Sequence, residues 1–337
     1  MNDSLPTLEA MASKLDAVRK ELAGIIVGQE EALGFSLFAL LGGGHLLLEG
    51  VPGIGKTLLA KSLARTLSLD WARIQFTPDL LPADVLGTSV MAPKGEGLDF
   101  RFEPGPVFAN VVLADEINRA SPKTQSALLE AMEEGAVTLR GVTRALPQPF
   151  LVLATQNPIE MEGTYPLPEA QIDRFLFKVT IGQPDGPELA RILERTIVST
   201  LPVAGAMLDA EELATLQRAA AEIVVPAVLI EAVSELVLRT RPERPEATEG
   251  IKRYARWGAG PRGAQALLRG AKSRALTEGR PNVSFKDLEV CLLPALRHRL
   301  VLNYEGQSEG LSPDLLLAEV WQSATRREGA GLLARST

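Results

Sequence analysis

The chain has 337 residues, 46% of them hydrophobic, with one cysteine, two histidines and a formal net charge of −7. That length and apolar content suit about two domains with a sizeable core, while a lone cysteine excludes a disulfide framework and the acidic balance argues against an extended nucleic-acid footprint, leaving room only for a local basic pore. No apolar run reaches the roughly 18 to 20 residues of a membrane span, the start of the chain has no signal-peptide pattern, and His45 and His298 form no metal cluster, so a cytoplasmic protein is expected.

Leu8, Met11, Leu15, Val18 and Leu22 recur at spacings of three and four, which predicts an amphipathic helix over 7–22 packed on a core. A strand follows at 45–49 and leads into Gly50-Val51-Pro52-Gly53-Ile54-Gly55-Lys56-Thr57, which fits G-x-x-x-x-G-K-[ST]; a helical pattern through Leu58, Leu59, Ala60 and Leu63 comes next. Strand, glycine loop and helix in that order make a phosphate cradle. Glycines let successive N–H groups approach phosphate oxygens, the helix adds the positive end of its dipole, Lys56 reaches the β/γ-phosphates and Thr57 ligates Mg²⁺. A strand is predicted at 73–76, then a long connection over 79–106 of the kind that is usually functional or mobile.

Val111-Val112-Leu113-Ala114-Asp115-Glu116 reads as a buried strand ending in two carboxylates. Asp115 can hold Mg²⁺ with Thr57, and Glu116 can orient and deprotonate an attacking water. A helix is predicted over 121–134 and a β-hairpin over 136–148 with Gly141 at its turn. Arg140 and Arg144 near that turn either grip a substrate or stand as solvated strand residues. The next strand, Phe150 to Thr155, ends in Gln156-Asn157-Pro158, which places a neutral amide where it can touch both γ-phosphate and water. A last strand is predicted at 175–180. Such alternation implies a parallel sheet with helices on both faces and a ligand at its carboxyl edge.

After Gly182-Gln183-Pro184-Asp185-Gly186-Pro187, taken as the domain boundary, the pattern is helical at 187–199, 210–222, 226–240, 249–278 and 284–300. Residues 242–246 form a surface loop by composition, Ser284 and Asp287 fit a capping box, Cys291 falls on an apolar helix face, and the residues from about Arg326 look poorly tied down.

Several blocks resemble the AAA+ ATPases, and within them the MoxR family, over nearly the whole chain: Ile26-Val27-Gly28-Gln29, His45 through Gly53, Asp115-Glu116-Ile117-Asn118-Arg119-Ala120, Gln125 through Glu134, Ala154-Thr155-Gln156-Asn157-Pro158 and Leu167 through Phe175. The resemblance implies a nucleotide site of Val27 and Gly28 with Gly50, Val51, Pro52, Gly53, Ile54, Gly55, Lys56, Thr57 and Leu58. It makes Asn157 the sensor-1 residue and Arg174 an arginine finger presented to a neighbour's nucleotide, with Arg119 and Arg144 as rivals and a local pairing of Arg174 with Asp173 or Glu169 as the plain alternative. Gly258-Ala259-Gly260-Pro261-Arg262-Gly263 resembles the sensor-2 motif, with Gly260 where relatives commonly carry Ser, and Arg262 would meet a phosphate there. Residues 79–106 and 136–148 resemble the helix-2 insert and pre-sensor-1 hairpin that face a central pore.

The expected fold is therefore an α/β P-loop NTPase parallel sheet, the AAA+ core, over 1–183, followed by an all-α lid over 184–337. The expected activity is hydrolysis of ATP with Mg²⁺ by a ring, hexameric by resemblance, that acts as a chaperone-like remodelling ATPase on a protein client with a von Willebrand A domain protein. Two other readings remain open from sequence: a nucleic-acid motor binding through the 136–148 hairpin, and a nucleotide-gated scaffold whose turnover is incidental.

Overall fold

A computed structural model describes residues 7–51, 53–94, 97–157, 163–197 and 203–328. The chain divides into two compact units. One holds Ser13–Phe175 and Val179–Gln217; the other holds residues 7–12, Leu176–Lys178 and the described residues from Arg218 onward. The segment 182–187 lies within the first of these.

Along the chain come helices α1 (Leu8–Ile25) and α2 (Glu30–Leu41), strand β1 (Leu46–Glu49), helix α3 (Lys56–Thr66), strand β2 (Trp71–Gln75) and the short helix α4 (Pro82–Leu86). Then follow β3 (Gly87–Lys94), β4 (Gly97–Pro104), β5 (Val111–Asp115), α5 (Pro122–Glu134), β6 (Ala136–Leu139), β7 (Val142–Ala145), β8 (Leu151–Gln156), α6 (Glu169–Ile172) and β9 (Phe177–Thr180). The main sheet runs β2-β5-β8-β1-β9, with the β2–β5, β5–β8 and β8–β1 pairs parallel. Leu46 to Leu48, Val111 to Ala114 and Leu151 to Ala154 are fully buried, the continuous apolar run that a strand covered on both faces requires. Met11, Leu15, Val18 and Leu22 of α1 are buried as their spacing predicts.

Helix α2 has no counterpart in the sequence reading. Ala32, Leu33, Phe35, Leu37, Ala39, Leu40 and Leu41 are all buried, so it is apolar nearly all round and carries no stripe for periodicity to find. The 79–106 connection is not a bare loop either: β3 and β4 form an antiparallel hairpin from Gly87↔Pro104 to Lys94↔Gly97. Its base is crossed by a close backbone approach, since a Cβ on Gly87 would lie 2.4 Å from the Glu103 carbonyl oxygen.

The second hairpin, β6–β7, turns through Arg140 and Gly141, both at positive φ (52° and 74°), the backbone that suits a two-residue connection between right-twisted strands. The Arg140 guanidinium stacks 4.0 Å from the ring centroid of Phe100 and that of Arg144 lies 4.1 Å from Phe102. Neither arginine is the simply solvated strand residue that composition allows; each joins this hairpin to β4.

The remaining elements are α7 (Gly186–Ile197), α8 (Ala210–Glu222), α9 (Ala227–Arg239), α10 (Glu249–Tyr254), β10 (Ala255–Trp257), α11 (Pro261–Thr277), α12 (Phe285–Leu296), β11 (Val301–Leu302), α13 (Tyr304–Ser308) and α14 (Pro313–Glu328). The single helix predicted over 249–278 is thus two helices separated by a strand that pairs antiparallel with β11. Backbones pack closely after this strand. A Cβ at Gly258 would lie 2.2 Å from the Thr240 carbonyl oxygen, and the Ala259 N–H donates to the Thr240 hydroxyl at 2.9 Å. The helix predicted to 300 stops at Leu296, and β10, β11 and α14 were not foreseen. Most of the C-terminal residues read as poorly tied down lie outside the described residues.

Asp287, at the third position of α12, is fully buried and accepts from the Ser284 N–H (2.8 Å), Arg280 (2.6 and 2.9 Å) and Arg274. Burial pushes its carboxyl up, but Arg280, Ser284 and Arg274 outweigh that and hold it below the ordinary aspartate value. Cys291 is buried and its thiol is pushed up by desolvation, which fits an inert core residue.

His45 is buried at the start of β1. Its Nδ1 accepts the Val152 N–H (3.1 Å) and its Nε2 donates to the Met132 carbonyl (3.1 Å). Burial lowers its pKa to about 4, with the Met132 contact opposing in part. The unfolded imidazole takes up a proton near pH 6.5 while the folded one does not, so this contribution is whole above pH 6.5 and is lost as pH falls toward 4. Urea unfolding of wild type should lose about 3 kcal/mol across that window from this group, and the His45→Phe variant should lack that part of the slope.

Candidate nucleotide-binding active site

The register of the sheet assembles the site. Gln75 of β2 pairs with Asp115 of β5, and Glu49 of β1 pairs with Gln156 of β8, so the carboxyl ends of all four strands reach one edge together. The loop after β1 wraps into α3 with Gly53 and Gly55 at positive φ (84° and 88°), a backbone that glycine adopts without strain. Gly50 has no room for a side chain, because a Cβ there would lie 2.7 Å from the Ile181 carbonyl oxygen. Lys56 donates to the Gly50 carbonyl at 2.6 Å, closing the loop on itself. Burial pulls the Lys56 ammonium below its ordinary value, against the opposing pull of Asp115 and Glu116.

Two cavities meet at Gly53 and Gly55. One, of about 300 Å³, is lined by Lys56, Thr57, Arg73, Gln75, Asp115, Glu116 and Asn157. The other, of about 560 Å³, is mostly apolar and is lined by Ile25 to Gln29, Val51, Ile54, Leu58, 182–184 and Leu189, Ile192, Arg195 and Thr196. An anion-binding loop beside an apolar slot is the shape of a site that takes a phosphorylated base. Among the candidates from sequence, Val27, Gly28, Val51, Gly53, Ile54, Gly55 and Leu58 line the large cavity, and Lys56, Thr57, Asp115, Glu116 and Asn157 line the small one. Pro52 lies outside the described residues.

Thr155, fully buried on β8, joins the two carboxylate residues. Its hydroxyl donates to Asp115 Oδ1 (2.7 Å) and accepts the Glu116 N–H (2.8 Å). Glu116 sits at φ 57°, ψ 49°, a left-handed conformation uncommon for a residue with a Cβ and of the strained kind that clusters at functional sites. Its Oε2 accepts from Gln75 (2.7 Å) and from Arg119 (3.0 Å), so Arg119, a rival for the intersubunit charge, bonds to the carboxylate of its own chain. Gln29 anchors the loop from the other side, donating to the Ile54 carbonyl.

The donor set fits magnesium. Thr57 and Asp115 offer a hydroxyl and a carboxylate, hard oxygens that suit an ion which keeps several waters and completes its shell with substrate phosphates. Among the described residues no group of three or more His, Cys, Asp or Glu could cage a metal.

The sequence candidates Arg174 and Arg262 are not among the residues that line either cavity. Arg174 forms an ion pair with Glu133 of α5 (2.9 Å). Arg262 lies at the second position of α11, in the other compact unit. Sequence reasoning missed Thr155, Arg73, Gln75 and Gln29 as site residues. Arg73 and Gln75 alternate along one strand with the buried Ile74 between them, a pattern that flags two polar side chains on one face but does not say what they meet.

Comparison with known proteins gives the family. Residues 45–177 match the model of the ATPase family associated with various cellular activities (AAA), and residues 247–320 match the AAA lid domain. The chain is similar to the chaperone MoxR1 of Mycobacterium tuberculosis, 43% identical over 94% of this chain and 84% of that one. It is also similar to protein MoxR of Methylorubrum extorquens, 31% identical over 89% and 91%. The crystal structure of a candidate ATPase from Cytophaga hutchinsonii superposes with a TM-score of 0.87 at 38% identity, covering 94% of this chain and 96% of that one.

Thr155→Val, which keeps the shape but removes the hydroxyl, should weaken Mg²⁺-dependent ADP binding by about 10- to 100-fold, the usual cost of losing an outer-shell partner, while Thr155→Ser should bind as wild type does. Calorimetric titration with and without Mg²⁺ checks this; equal affinity in the valine variant would remove Thr155 from the site.

Proposed function

The chain belongs to the MoxR family of AAA+ ATPases, and we propose that it hydrolyses ATP with Mg²⁺ to drive chaperone-like remodelling of a protein client. The observation that carries this is the convergence of Lys56, Thr57, Asp115, Glu116 and Asn157 on one 300 Å³ cavity beside an apolar slot of 560 Å³. Each residue has a physical role there. Backbone N–H groups of the glycine loop and the Lys56 ammonium hold phosphate, Thr57 and Asp115 hold the metal, Glu116 accepts the proton of the attacking water and Asn157 orients that water. Magnesium, when bound, neutralises charge on the β- and γ-phosphate oxygens.

Phosphoryl transfer gains further from a cation presented to the transferred group from outside the subunit. We assign that part to Arg174 of a neighbouring copy in a homo-oligomeric ring, hexameric by family resemblance. Within the single chain the tip of that side chain, Nη2, pairs with Glu133, a contact it would exchange for a neighbour's phosphate. Arg262 is assigned the lid contact to nucleotide, the site where a cation near a helix start needs an anion close by. The chaperone assignment follows the name of the Mycobacterium tuberculosis relative, and a von Willebrand A domain partner follows family resemblance. No described helix is long and apolar enough to cross a membrane. We place the protein in the cytoplasm, where one buried cysteine suits reducing conditions.

Subunit mixing tests the trans assignment. Arg174→Ala and Glu116→Gln should each bind ATP and assemble as wild type does, yet hydrolyse it at least about 10³-fold more slowly. Mixed together, they should regain part of the rate, because some interfaces then join an intact finger to an intact carboxylate. A mixture that stays at the level of its parts, or an unimpaired Arg174→Ala, would sink the assignment.

A further inference from the structure

Arg73 of β2 enters the small cavity with no role in the chemistry described above. Its guanidinium donates to Asp115 Oδ2 through Nη2 (2.6 Å) and Nε (3.2 Å), and Nη2 also meets Gln75 Oε1 at 2.6 Å. The other oxygen of the same carboxylate, Oδ1, is taken by the Thr155 hydroxyl at 2.7 Å. Both oxygens of the assigned metal ligand are therefore engaged, one by a neutral buried hydroxyl and one by a full positive charge. The two side chains differ in freedom: that of Asp115 is 15% exposed and that of Arg73 is 45% exposed.

Two cations cannot share one carboxylate edge at low cost. Magnesium demands direct oxygen contact at about 2.0–2.1 Å in near-octahedral geometry, which a guanidinium on the same oxygen obstructs sterically and opposes electrostatically. A half-exposed ion pair is also weak enough to be exchanged, because solvent screens it and holding a long side chain costs entropy.

We propose that Arg73 is a resident counter-ion that competes with magnesium for Asp115 and so sets how much of the metal the nucleotide site requires. It is a positioning residue, acting through the charge it leaves on Asp115. In the resting site it balances the charge of Asp115, next to Glu116, whose Oε2 is bonded to Arg119 and Gln75. When metal and nucleotide arrive together, the Asp115 oxygen passes from guanidinium to metal, and Arg73 swings on its exposed stem with Gln75 still within reach. The consequence is a site tuned to take the metal with the phosphates that complete its shell, in place of the metal alone. This rests on the nucleotide-site reading above.

The test is binding of a methylanthraniloyl-labelled ADP, followed by fluorescence in excess EDTA and then at rising Mg²⁺, for wild type, Arg73→Gln, Arg73→Ala and Arg73→Lys. Removing the charge should lower the half-saturating Mg²⁺ by about fivefold in both neutral variants, while the lysine variant, which keeps the charge, should stay within about twofold of wild type. Affinity in EDTA should be unchanged throughout, and two neutral variants guard against poor folding of one. A Mg²⁺ requirement that is unchanged or higher in the neutral variants overturns the proposal. So does a loss of affinity in EDTA with no change in the Mg²⁺ requirement, which would make Arg73 a phosphate contact instead. If wild type itself fails to bind the probe, the nucleotide-site reading falls and the proposal falls with it.

Discussion

Parallel pairing in register places the ends of β2, β5, β8 and β1 on a single edge, and the rest of the site is built on that constraint. A parallel ladder offers evenly spaced, slanted bonds and no freedom to offset one strand without unpairing it. Gln75 opposite Asp115 and Glu49 opposite Gln156 are therefore consequences of the sheet, not adjustments of loops. A one-residue slip in β5 would swap Asp115 to the other face and carry the four fully buried side chains before it toward the wrong layer, so core packing and site geometry enforce the same register.

The buried Thr155 hydroxyl turns that register into a fixed arrangement of two carboxylate residues. It holds a carboxylate on one strand and the backbone of the following residue, and so it fixes Glu116 in a left-handed conformation that local preference would not choose. The charges around it are balanced at each step. Asp115 meets Arg73, Glu116 meets Arg119 and Gln75, and Lys56 is held to a backbone carbonyl of the loop it serves. Polar groups in such a pocket are stabilising only when each has a partner, and these partners come from the strands and the turns that follow them.

Farther from the cavity, the two hairpins are tied by the faces of Phe100 and Phe102 under Arg140 and Arg144. Each such contact is worth only about 0.5–1 kcal/mol at an exposed site, but two in series favour motion of the hairpins as one body. In the other unit, buried Asp287 between Arg274 and Arg280 joins α11 to the start of α12, and the Gly258 backbone against Thr240 joins α9 to the segment before α11.

The sequence by itself determined the elements whose signal is local. The glycine loop, the apolar runs ending in Asp115-Glu116 and Gln156-Asn157, the α1 stripe and the hairpin at Gly141 were legible because spacing and residue type carry their physics. Only tertiary structure decided the rest. Helix α2 escaped because an element buried all round has no periodicity, and the helix expected through 249–278 is interrupted by a strand whose partner, β11, lies far along the sequence. Arg73, Gln75 and Thr155 became site residues through the order β2-β5-β8, which places three sequence-distant strands side by side. Arg174 meets Glu133, distant in sequence, for the same reason. Side-chain chemistry is written residue by residue, but which charge meets which is set by strand order and register, and these are settled only when distant apolar faces pack.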